Sequence, residues 1–448
     1  MRTPDMSEGN VKLDRLEECQ VSNAPRDQRP WDLYTRGNRR VFLSVLFLVG
    51  TSSYVDKNII GVLLEQIKTE FQASDVMLGL LGGISFALFY ATLGIPIARW
   101  ADRGDRKLVI TVSLSIWSVM TVICGLTHTF WQLAAARVGV GAGEAGAIPP
   151  AQSLLADYYP PAARAQAIGI FMMSSSPGYA VALVFGGWIA QSYGWRAAFL
   201  AVGLLGAGFA PMTHLILMEP RHAPRFAVRP EDHEPTLTAI RVLFRKAAYR
   251  NILSAIVVYF MMAYGAHVFI VSFMIRTHGL NVAQAGTTFG VVSAAGAVVG
   301  YLGGGMLADR LSARNVAWGA RMAGWGMIAA MPLFELALSA PTVATMATLL
   351  LLSTVALTGV VPPMFSALHM VCGSKRRAIS VAVTFFFANL LGLGFGPVIT
   401  GELSDTLTSA YGKAEGLRYA LMIVMIVFIP AGWFMLRAAR HLKADAED

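Results

Sequence analysis

The sequence is poor in cysteine and in charged side chains. Its three cysteines, Cys19, Cys124 and Cys372, are far apart in the 448 residues, so they predict neither a disulfide framework nor a cysteine metal site. Only 14% of the residues are Asp, Glu, Lys or Arg, compared with about 25% in an ordinary soluble domain. A phosphate-binding GxxxxGK(S/T) loop, a nucleophile paired with a base and a metal-ligand spacing are also absent. We therefore predict no catalytic residue, no metal and no cofactor.

Hydrophobic residues make up 55% of the chain, and the mean hydropathy is +0.55. Windows of about 20 apolar residues, the length that crosses a bilayer, recur between short polar turns. Lipid offers no water to exposed backbone groups, and the alternation of a membrane β-barrel is absent, so each window is predicted to be a helix. The predicted spans are 40–64, 76–100, 107–127, 131–156, 165–191, 196–218, 250–275, 283–308, 315–338, 343–370, 378–403 and 417–437. The sequence therefore predicts an all-α polytopic membrane protein with twelve transmembrane helices.

Basic residues are concentrated at one set of helix ends. They precede the first predicted span, follow the second and follow the last: Arg36, Arg39, Arg40, Arg103, Arg106, Lys107, Arg437, Arg440 and Lys443. Because cytoplasmic loops carry an excess of Lys and Arg, both termini are predicted to be cytoplasmic, in the inner cell membrane. The main exceptions on the opposite side are Lys68, Arg196, Arg276 and Lys413. This sidedness explains the net charge of +9, so we predict contact with a lipid bilayer and none with nucleic acid.

Two patterns occur in the same order in both halves of the chain. Ala-Asp-Arg with a basic residue after it occurs at 98–107 and again at 305–314. A proline pair followed by an arginine occurs at 149–164 and again at 362–377. Such repeats are typical of transporters built from two related bundles. The predicted domains are a cytoplasmic tail at 1–39, six-helix bundles at 40–218 and 250–437, a cytoplasmic linker at 219–249 and a cytoplasmic tail at 438–448.

These features resemble the major facilitator superfamily, whose loop between the second and third spans reads Asp-Arg-x-x-Arg-Lys, as it does at 102–107. Ala98 and Asp105 hold two glycine positions of the usual pattern. The resemblance implies two pseudo-symmetric six-helix bundles, a monomer, and a cytoplasmic latch of ion contacts in the outward-open state. The alternative is a turn that only follows the positive-inside rule. The latch residues that we expect are Asp102, Arg103, Asp157, Arg164, Asp309 and Arg310.

Charged residues inside the predicted spans are few, and each costs about 2.5–3.5 kcal/mol at the bilayer centre on insertion scales. The clearest are Asp56 in the first span, and Arg137 and Glu144 in the fourth. Arg137 and Glu144 lie on one helix face, about 10 Å apart along the axis, and we expect them to face a cavity with Asp56 across it. A carboxyl group without water favours its protonated form, and a nearby guanidinium favours the charged form. We predict that Asp56 and Glu144 couple protons and that all three residues bind substrate. The alternative is a buried ion pair that only orients two helices.

The segments SYVDKNIIGVLLEQIKTEF at 53–71 and RVGVGAGEAGAIPP at 137–150 resemble the spinster branch of lysolipid and sphingosine-phosphate transporters. Lys57 stands where those proteins usually have Arg. The anion:cation symporters that move hexuronates share much of the second segment. The resemblance implies a secondary active transporter that works by alternating access, coupled to protons, and moves an amphipathic organic anion. The alternatives are a proton-coupled symporter of small organic acids and, from another class, a membrane enzyme or receptor that does not transport.

The charge cluster has no counterpart in the second half. The offset between the proline pairs aligns Arg137 with Leu350 and Glu144 with Leu357, and three phenylalanines follow at 385–387. A cavity charged on one wall and apolar on the other suits an amphipathic anion such as a lysolipid, although Phe and Leu in membrane spans commonly face lipid or pack. Weaker cavity candidates in this half are His267 and Arg321.

Overall fold

A computed structural model describes residues 29–220 and 236–445. Within these ranges the chain is almost entirely helical and contains no β-strand. Most of the predicted first tail and part of the linker lie outside the described residues. The helices of the first half follow a 3-10 turn at Pro30–Leu33 and are α1 Arg36–Phe71, α2 Asp75–Gly82, α3 Ile84–Arg103, α4 Arg106–Gly125, α5 Phe130–Glu144, α6 Ile148–Tyr158, α7 Pro161–Met172, α8 Ser175–Ala180, α9 Gly186–Tyr193 and α10 Trp195–Ile216.

The second half begins after a short linker helix, α11. Its order repeats that of the first half, with long helices separated by short turns. The elements are α11 Thr236–Arg245, α12 Ala247–His278, α13 Val282–Ser312, α14 Ala317–Leu338, α15 Val343–Gly359, α16 Val361–Phe387, α17 Gly396–Tyr411, α18 Lys413–Ile426 and α19 Phe428–Asp445.

The described helices cross the bilayer twelve times, six times in each half. Nine segments of the described ranges are long and apolar enough to span a membrane. The other three are the first, fourth and ninth predicted spans, which are also helical but carry charges such as Asp56, Arg137 and Arg321. The prediction of an all-α protein with twelve spans is therefore confirmed.

Interruptions occur at matching places in the two halves. The fourth span breaks after Glu144, and its continuation α6 starts with a proline pair, whose rings fit the first turn of a helix. The fifth and eleventh spans each contain a π-helical segment, at Val181–Phe185 and Ala388–Phe395. Within α16, Gly373 has φ 63°, a left-handed conformation that separates the tenth span from the eleventh. The repeat in the sequence is thus also a repeat in helix geometry.

The helices run between two ends of the bundle. The proximal end is the one where α1 and α12 begin and α19 ends; there the Asp445 carboxylate accepts the Ala248 N–H at 2.7 Å. The distal end is the one where α1 and α12 end; there Asp75 contacts Arg276. Hydrogen bonds and ion pairs between the two halves cluster at the distal end.

Candidate functional site

The first buried ion pair joins α1 to α5. Nη1 of Arg137 lies 3.2 Å from Oδ1 of Asp56 and 3.4 Å from the Asp56 carbonyl oxygen. The Thr121 hydroxyl on α4 donates a hydrogen bond to the second carboxylate oxygen of Asp56. Both charged side chains are 1% exposed. A charge removed from water to this degree requires a counter-charge, so each group depends on the other.

The second ion pair joins the same two helices. Nζ of Lys57 lies 3.0 Å from Oε2 of Glu144, and the Ser53 hydroxyl donates to the same oxygen at 2.7 Å. The ammonium also lies 4.5 Å from the centroid of the Tyr90 ring and 5.5 Å from that of Tyr54, positions in which an aromatic ring stabilises a cation. Sequence reasoning left the place of Lys57 open, and the structure assigns it to the charge cluster.

The four side chains form a balanced set of two carboxylates and two cations. We call Asp56, Lys57, Arg137 and Glu144 the charge cluster. One carboxylate oxygen of Glu144, Oε1, and one guanidinium nitrogen of Arg137, Nε, are buried without a hydrogen-bond partner among the described residues. Hydrogen-bonding capacity is therefore left in the cluster, and an added anion or proton would have to disturb its neutrality.

A cavity of about 350 Å³ lies beside the charge cluster. The side chains that the first half contributes all carry a hydroxyl group, whereas the second half contributes the phenylalanines and the aliphatic side chains, together with further tyrosine, serine and threonine hydroxyls. Among the described residues its lining contains no carboxylate, ammonium or guanidinium. The lining includes Tyr54, Ser175, Ser176 and Tyr179 from the first half, and Tyr259, Phe260, Tyr264, Phe289, Tyr301, Phe334, Phe365 and Phe385 from the second.

The structure departs here from the expectation that Arg137 and Glu144 face the cavity. Both are 1% exposed and pack between helices, because Gly141 of the same helix brings α5 against the backbone of α3 at Phe86. Tyr54 connects the two features, since its ring faces Lys57 and also lines the cavity. The charged wall is therefore one layer behind the cavity surface rather than part of it.

The apolar wall of the second half includes the two positions aligned with the charged ones. Leu350 and Leu357 both line the cavity. His267, a weaker candidate, also lines it, between the rings of Tyr179 at 5.2 Å and Phe289 at 4.9 Å. Arg321, the other weaker candidate, is not among the lining residues; its guanidinium lies 5.2 Å from the Trp318 ring. The structure thus separates two residues that sequence reasoning ranked together.

Arg106 organises a second buried ion cluster at the proximal end. Its guanidinium lies 2.5 Å from Glu219 and 2.6 Å from Asp157, and its backbone N–H donates to Glu219 at 2.8 Å. Burial is the main cause that raises the pKa of nearby Tyr34 to about 12, with added effects of these two carboxylates. The phenol therefore stays neutral at physiological pH. Sequence reasoning recognised Arg106 only as a basic residue of the loop, although its place after the Asp-Arg motif was an available signal.

We expect Arg106→Gln to destabilise the first half. Arg106 is 1% exposed and holds two carboxylates, and breaking a buried pair of this kind costs about 3–5 kcal/mol. Thermal unfolding of the purified protein in detergent would measure the loss. The matched control is Lys107→Gln, which removes the same charge from the next, less buried residue. Equal effects of the two substitutions would contradict a specific role for the Arg106 cluster.

The predicted latch residues are found in different settings. Asp157 pairs with Arg106, and the Arg164 guanidinium lies 6.0 Å from the Trp31 ring. Asp309 and Arg310 are exposed at the end of α13. The side chains of the remaining two, Asp102 and Arg103, lie outside the described part of the structure. The latch thus stays a prediction.

An ion network at the distal end was missed by sequence reasoning. Asp75 accepts hydrogen bonds from Arg276 at 2.6 and 2.7 Å and from Lys68 at 2.5 Å. Arg276 also contacts Glu65 at 2.7 Å. A signal was present, since Lys68 and Arg276 are two of the few basic residues that break the positive-inside pattern. Their charges are retained on this side because they pair with carboxylates.

Comparisons with known proteins agree with this architecture. The sequence profile of the Major Facilitator Superfamily matches residues 46–397. An MFS-type efflux pump of Mycolicibacterium smegmatis is 31% identical over 415 residues, which cover 92% of this chain and 96% of that protein. A probable sphingolipid transporter of Arabidopsis thaliana, spinster homolog 2, is 30% identical over 262 residues, 55% of this chain and 53% of that one.

A solved structure matches over nearly the whole chain. It is a bacterial homolog of the human lysosomal transporter Spinster, in an inward-facing and unoccupied conformation. The TM-score is 0.84 and the identity is 30%, with coverage of 93% of this chain and 100% of that one. The fold is therefore shared over nearly the whole chain.

Proposed function

The chain belongs to the Major Facilitator Superfamily, and on this premise we propose that it is a secondary active transporter. Its spinster-like sequence and the transporters among its relatives support this assignment. We propose further that it moves an amphipathic organic anion, such as a lysolipid or a sphingosine-phosphate-like molecule, in exchange or in company with protons. The observation that carries the proposal is a neutral charge cluster placed directly behind an aromatic cavity.

Proton coupling would follow from the balance of the charge cluster. Asp56 neutralises Arg137, and Glu144 neutralises Lys57, and all four side chains are largely buried. If a carboxyl group takes up a proton, its cation loses a partner and becomes available to an anionic substrate. Arg137 stays charged throughout, because a guanidinium does not release its proton in proteins. Substrate anion and deprotonated carboxylate would then compete for the same cation.

The cavity supports the choice of an amphipathic substrate. Leu350, Leu357 and the phenylalanines of the second half offer an apolar surface, while the tyrosine and serine hydroxyls of the first half offer hydrogen bonds. A compact sugar acid would leave the apolar surface without a partner, whereas an alkyl chain would cover it. The anionic group of the substrate would lie near Tyr54, the lining residue next to Lys57.

The two related halves provide the means of alternating access. In transporters built from repeats, one bundle rocks against the other around a central site. The cavity is lined by both bundles, the charge cluster lies beside it within the first bundle, and the distal ends of the bundles are joined by ion pairs. We propose that the distal end faces the outside of the inner cell membrane and that both termini are cytoplasmic.

Substrate choice is tested by uptake into sealed liposomes under an imposed proton gradient. Three compounds separate the possibilities: a lysolipid with an anionic phosphate, a neutral monoacylglycerol of the same chain length, and a hexuronate. We expect transport of the lysolipid to exceed that of each of the others by about tenfold or more, because buried charged groups discriminate strongly against a ligand that leaves them unpaired.

The outcomes that contradict the proposal are distinct. Transport of the hexuronate without the lysolipid would support the small organic acid symporter. Equal transport of the lysolipid and the monoacylglycerol would show that the protein does not recognise the anionic group of the substrate. Binding of any of the three without flux would favour a receptor or an enzyme.

A further inference from the structure

The distal end is closed by two helix crossings that the internal repeat relates to each other. A Cβ atom on Gly79 of α2 would lie 2.3 Å from the carbonyl oxygen of Pro397 in the other half. A Cβ atom on Gly286 of α13 would lie 2.3 Å from the carbonyl oxygen of Leu183, also in the other half. The two glycines are separated along the chain by the same number of residues as the aspartates of the repeated Ala-Asp-Arg motif. In each half, the start of the second span therefore packs closely against the fifth span of the other half.

Each crossing is also capped across the halves, but with different strength. At the first crossing, the Asp405 carboxylate accepts the backbone N–H groups of Asp75 and Val76, both at 2.8 Å. At the second crossing, the Gln191 side-chain oxygen accepts the N–H of Val282 at 3.2 Å. A carboxylate on the first turn of a helix also gains from the helix dipole, whereas a neutral amide gains less. The first crossing is the stronger of the two.

In the described part of the structure, charged side chains hold the first of the two crossings and not the second. The Asp75 carboxylate is fully buried and is held by Arg276, Lys68 and Ser404, with Oγ of Ser404 at 2.6 Å. Arg276 and Ser404 belong to the second half, so this one carboxylate joins the second span to the seventh and the eleventh. At the second crossing the corresponding residue is Val282, which has no charge. The repeat thus preserved the packing and not the electrostatics.

We infer that Asp75 is a positioning residue for transport, which sets how readily the distal end opens. The inference rests on the proposed alternating access. Opening the cavity toward the distal side must separate Asp75 from Arg276 and withdraw its N–H from Asp405. The first is an ion pair of the fully buried Asp75 carboxylate, and the second is a partly buried hydrogen bond to a carboxylate, so both weaken the closed state when they are lost. Among the described residues, the crossing at Gly286 separates with the loss of a single neutral hydrogen bond, so the barrier is concentrated at the first crossing, around Asp75 and Arg276.

The test measures exposure of the cavity to the distal side. The substitution Ser176→Cys introduces a single thiol at a position that lines the cavity, in a chain whose three native cysteines are replaced by alanine. Spheroplasts are treated with a membrane-impermeant maleimide, which reaches the introduced thiol only when the distal end is open. In a parallel preparation, Ser409→Cys places the thiol at an exposed position near the distal end of α17 and marks the outer side.

We expect Asp75→Asn to increase the labelling rate at position 176 by about tenfold or more, because the loss of a buried charged partner shifts such an equilibrium by at least that factor. Arg276→Gln should act in the same direction and more strongly, because it also removes the ion pair with Glu65. In the Asp75→Asn background it should add only the effect of that second pair. The control is Glu70→Gln, whose ion pair with Arg196 at 2.7 Å lies at the same end but within the first half. It should leave labelling unchanged.

Unchanged labelling in Asp75→Asn, in a protein that is expressed and monodisperse, would overturn the inference. If Asp75→Asn does not fold, Asp405→Asn provides the same test from the opposite helix. Equal increases in Asp75→Asn and Glu70→Gln would also overturn it, because they would indicate general loosening of this end. The proposed substrate and proton coupling are judged by liposome flux, so either idea can fail while the other stands.

Discussion

Asp56→Asn and Glu144→Gln are each expected to abolish accumulation of substrate driven by a proton gradient. Each amide keeps the shape of the side chain but cannot gain or release a proton. The expected reduction in the initial rate is about a hundredfold, the lower range for removal of a group that must transfer a proton. The measurement is uptake into proteoliposomes with and without an imposed gradient.

Exchange of labelled for unlabelled substrate provides the internal control. Exchange needs no net proton movement, so we expect the amide variants to retain a larger share of exchange than of accumulation. Glu335→Gln is the comparison variant, because Glu335 is a half-buried carboxyl group in α14 that is not part of the charge cluster. If both cluster variants keep the proton dependence of the wild type, Asp56 and Glu144 have no role in coupling.

Arg137→Gln is expected to lower both stability and transport strongly. The Asp56 carboxylate is 1% exposed, and the substitution removes its cation. Breaking a buried pair in this way costs about 3–5 kcal/mol. A protonated Asp56 needs no counter-charge, so the deficit should be largest at high pH and should shrink as the pH falls. Unfolding of the purified protein across a pH series would measure it.

The double variant Asp56→Asn/Arg137→Gln separates the cost of an unpaired charge from the loss of packing. We expect it to be more stable than Arg137→Gln alone, because it removes the uncompensated carboxylate. Arg137→Lys should restore part of the stability but little transport, since an ammonium does not reproduce the planar set of donors. If Arg137→Gln were as stable as the wild type, the ion pair of Asp56 and Arg137 would not be what holds α1 to α5.

The alternative that the charge cluster is purely structural makes different predictions. A structural pair would lose stability in Arg137→Gln and recover it in the double variant, and the recovered protein would also transport normally. A functional pair would recover stability without recovering proton-driven uptake. The two measurements on the same variants therefore decide between the alternatives that the sequence left open.

Much of the fold could be predicted because membrane helices are encoded locally. A window of apolar residues is sufficient to specify a span, and the repeated motifs are sufficient to relate the halves. The rare charges at Asp56, Arg137 and Glu144 were visible for the same reason, since a charge in an apolar window is costly wherever its helix packs. The contact between Asp56 and Arg137 could also be anticipated, because few other charges were available.

The remaining features depend on how distant helices approach each other. Lys57 follows Asp56 directly, and its pairing with Glu144 reflects the rotation of α1 against α5. The cavity borders the aromatic second half, and Arg137 and Glu144 lie behind its wall because close packing at Gly141 buries their helix face. A single sequence contains no periodic pattern that predicts the angle at which two helices pack or the rotation of one helix against the other.

The sequence by itself determined the solvent, the number of spans and the relation of the halves, because burial in lipid acts on each segment separately. Only the tertiary structure decided which charges meet. Asp75 and Arg276 are 201 residues apart, and each alone is an ordinary charge at a helix end. Their role at the distal end exists only where the two halves touch, since a Coulomb interaction depends on the distance in space and not along the chain.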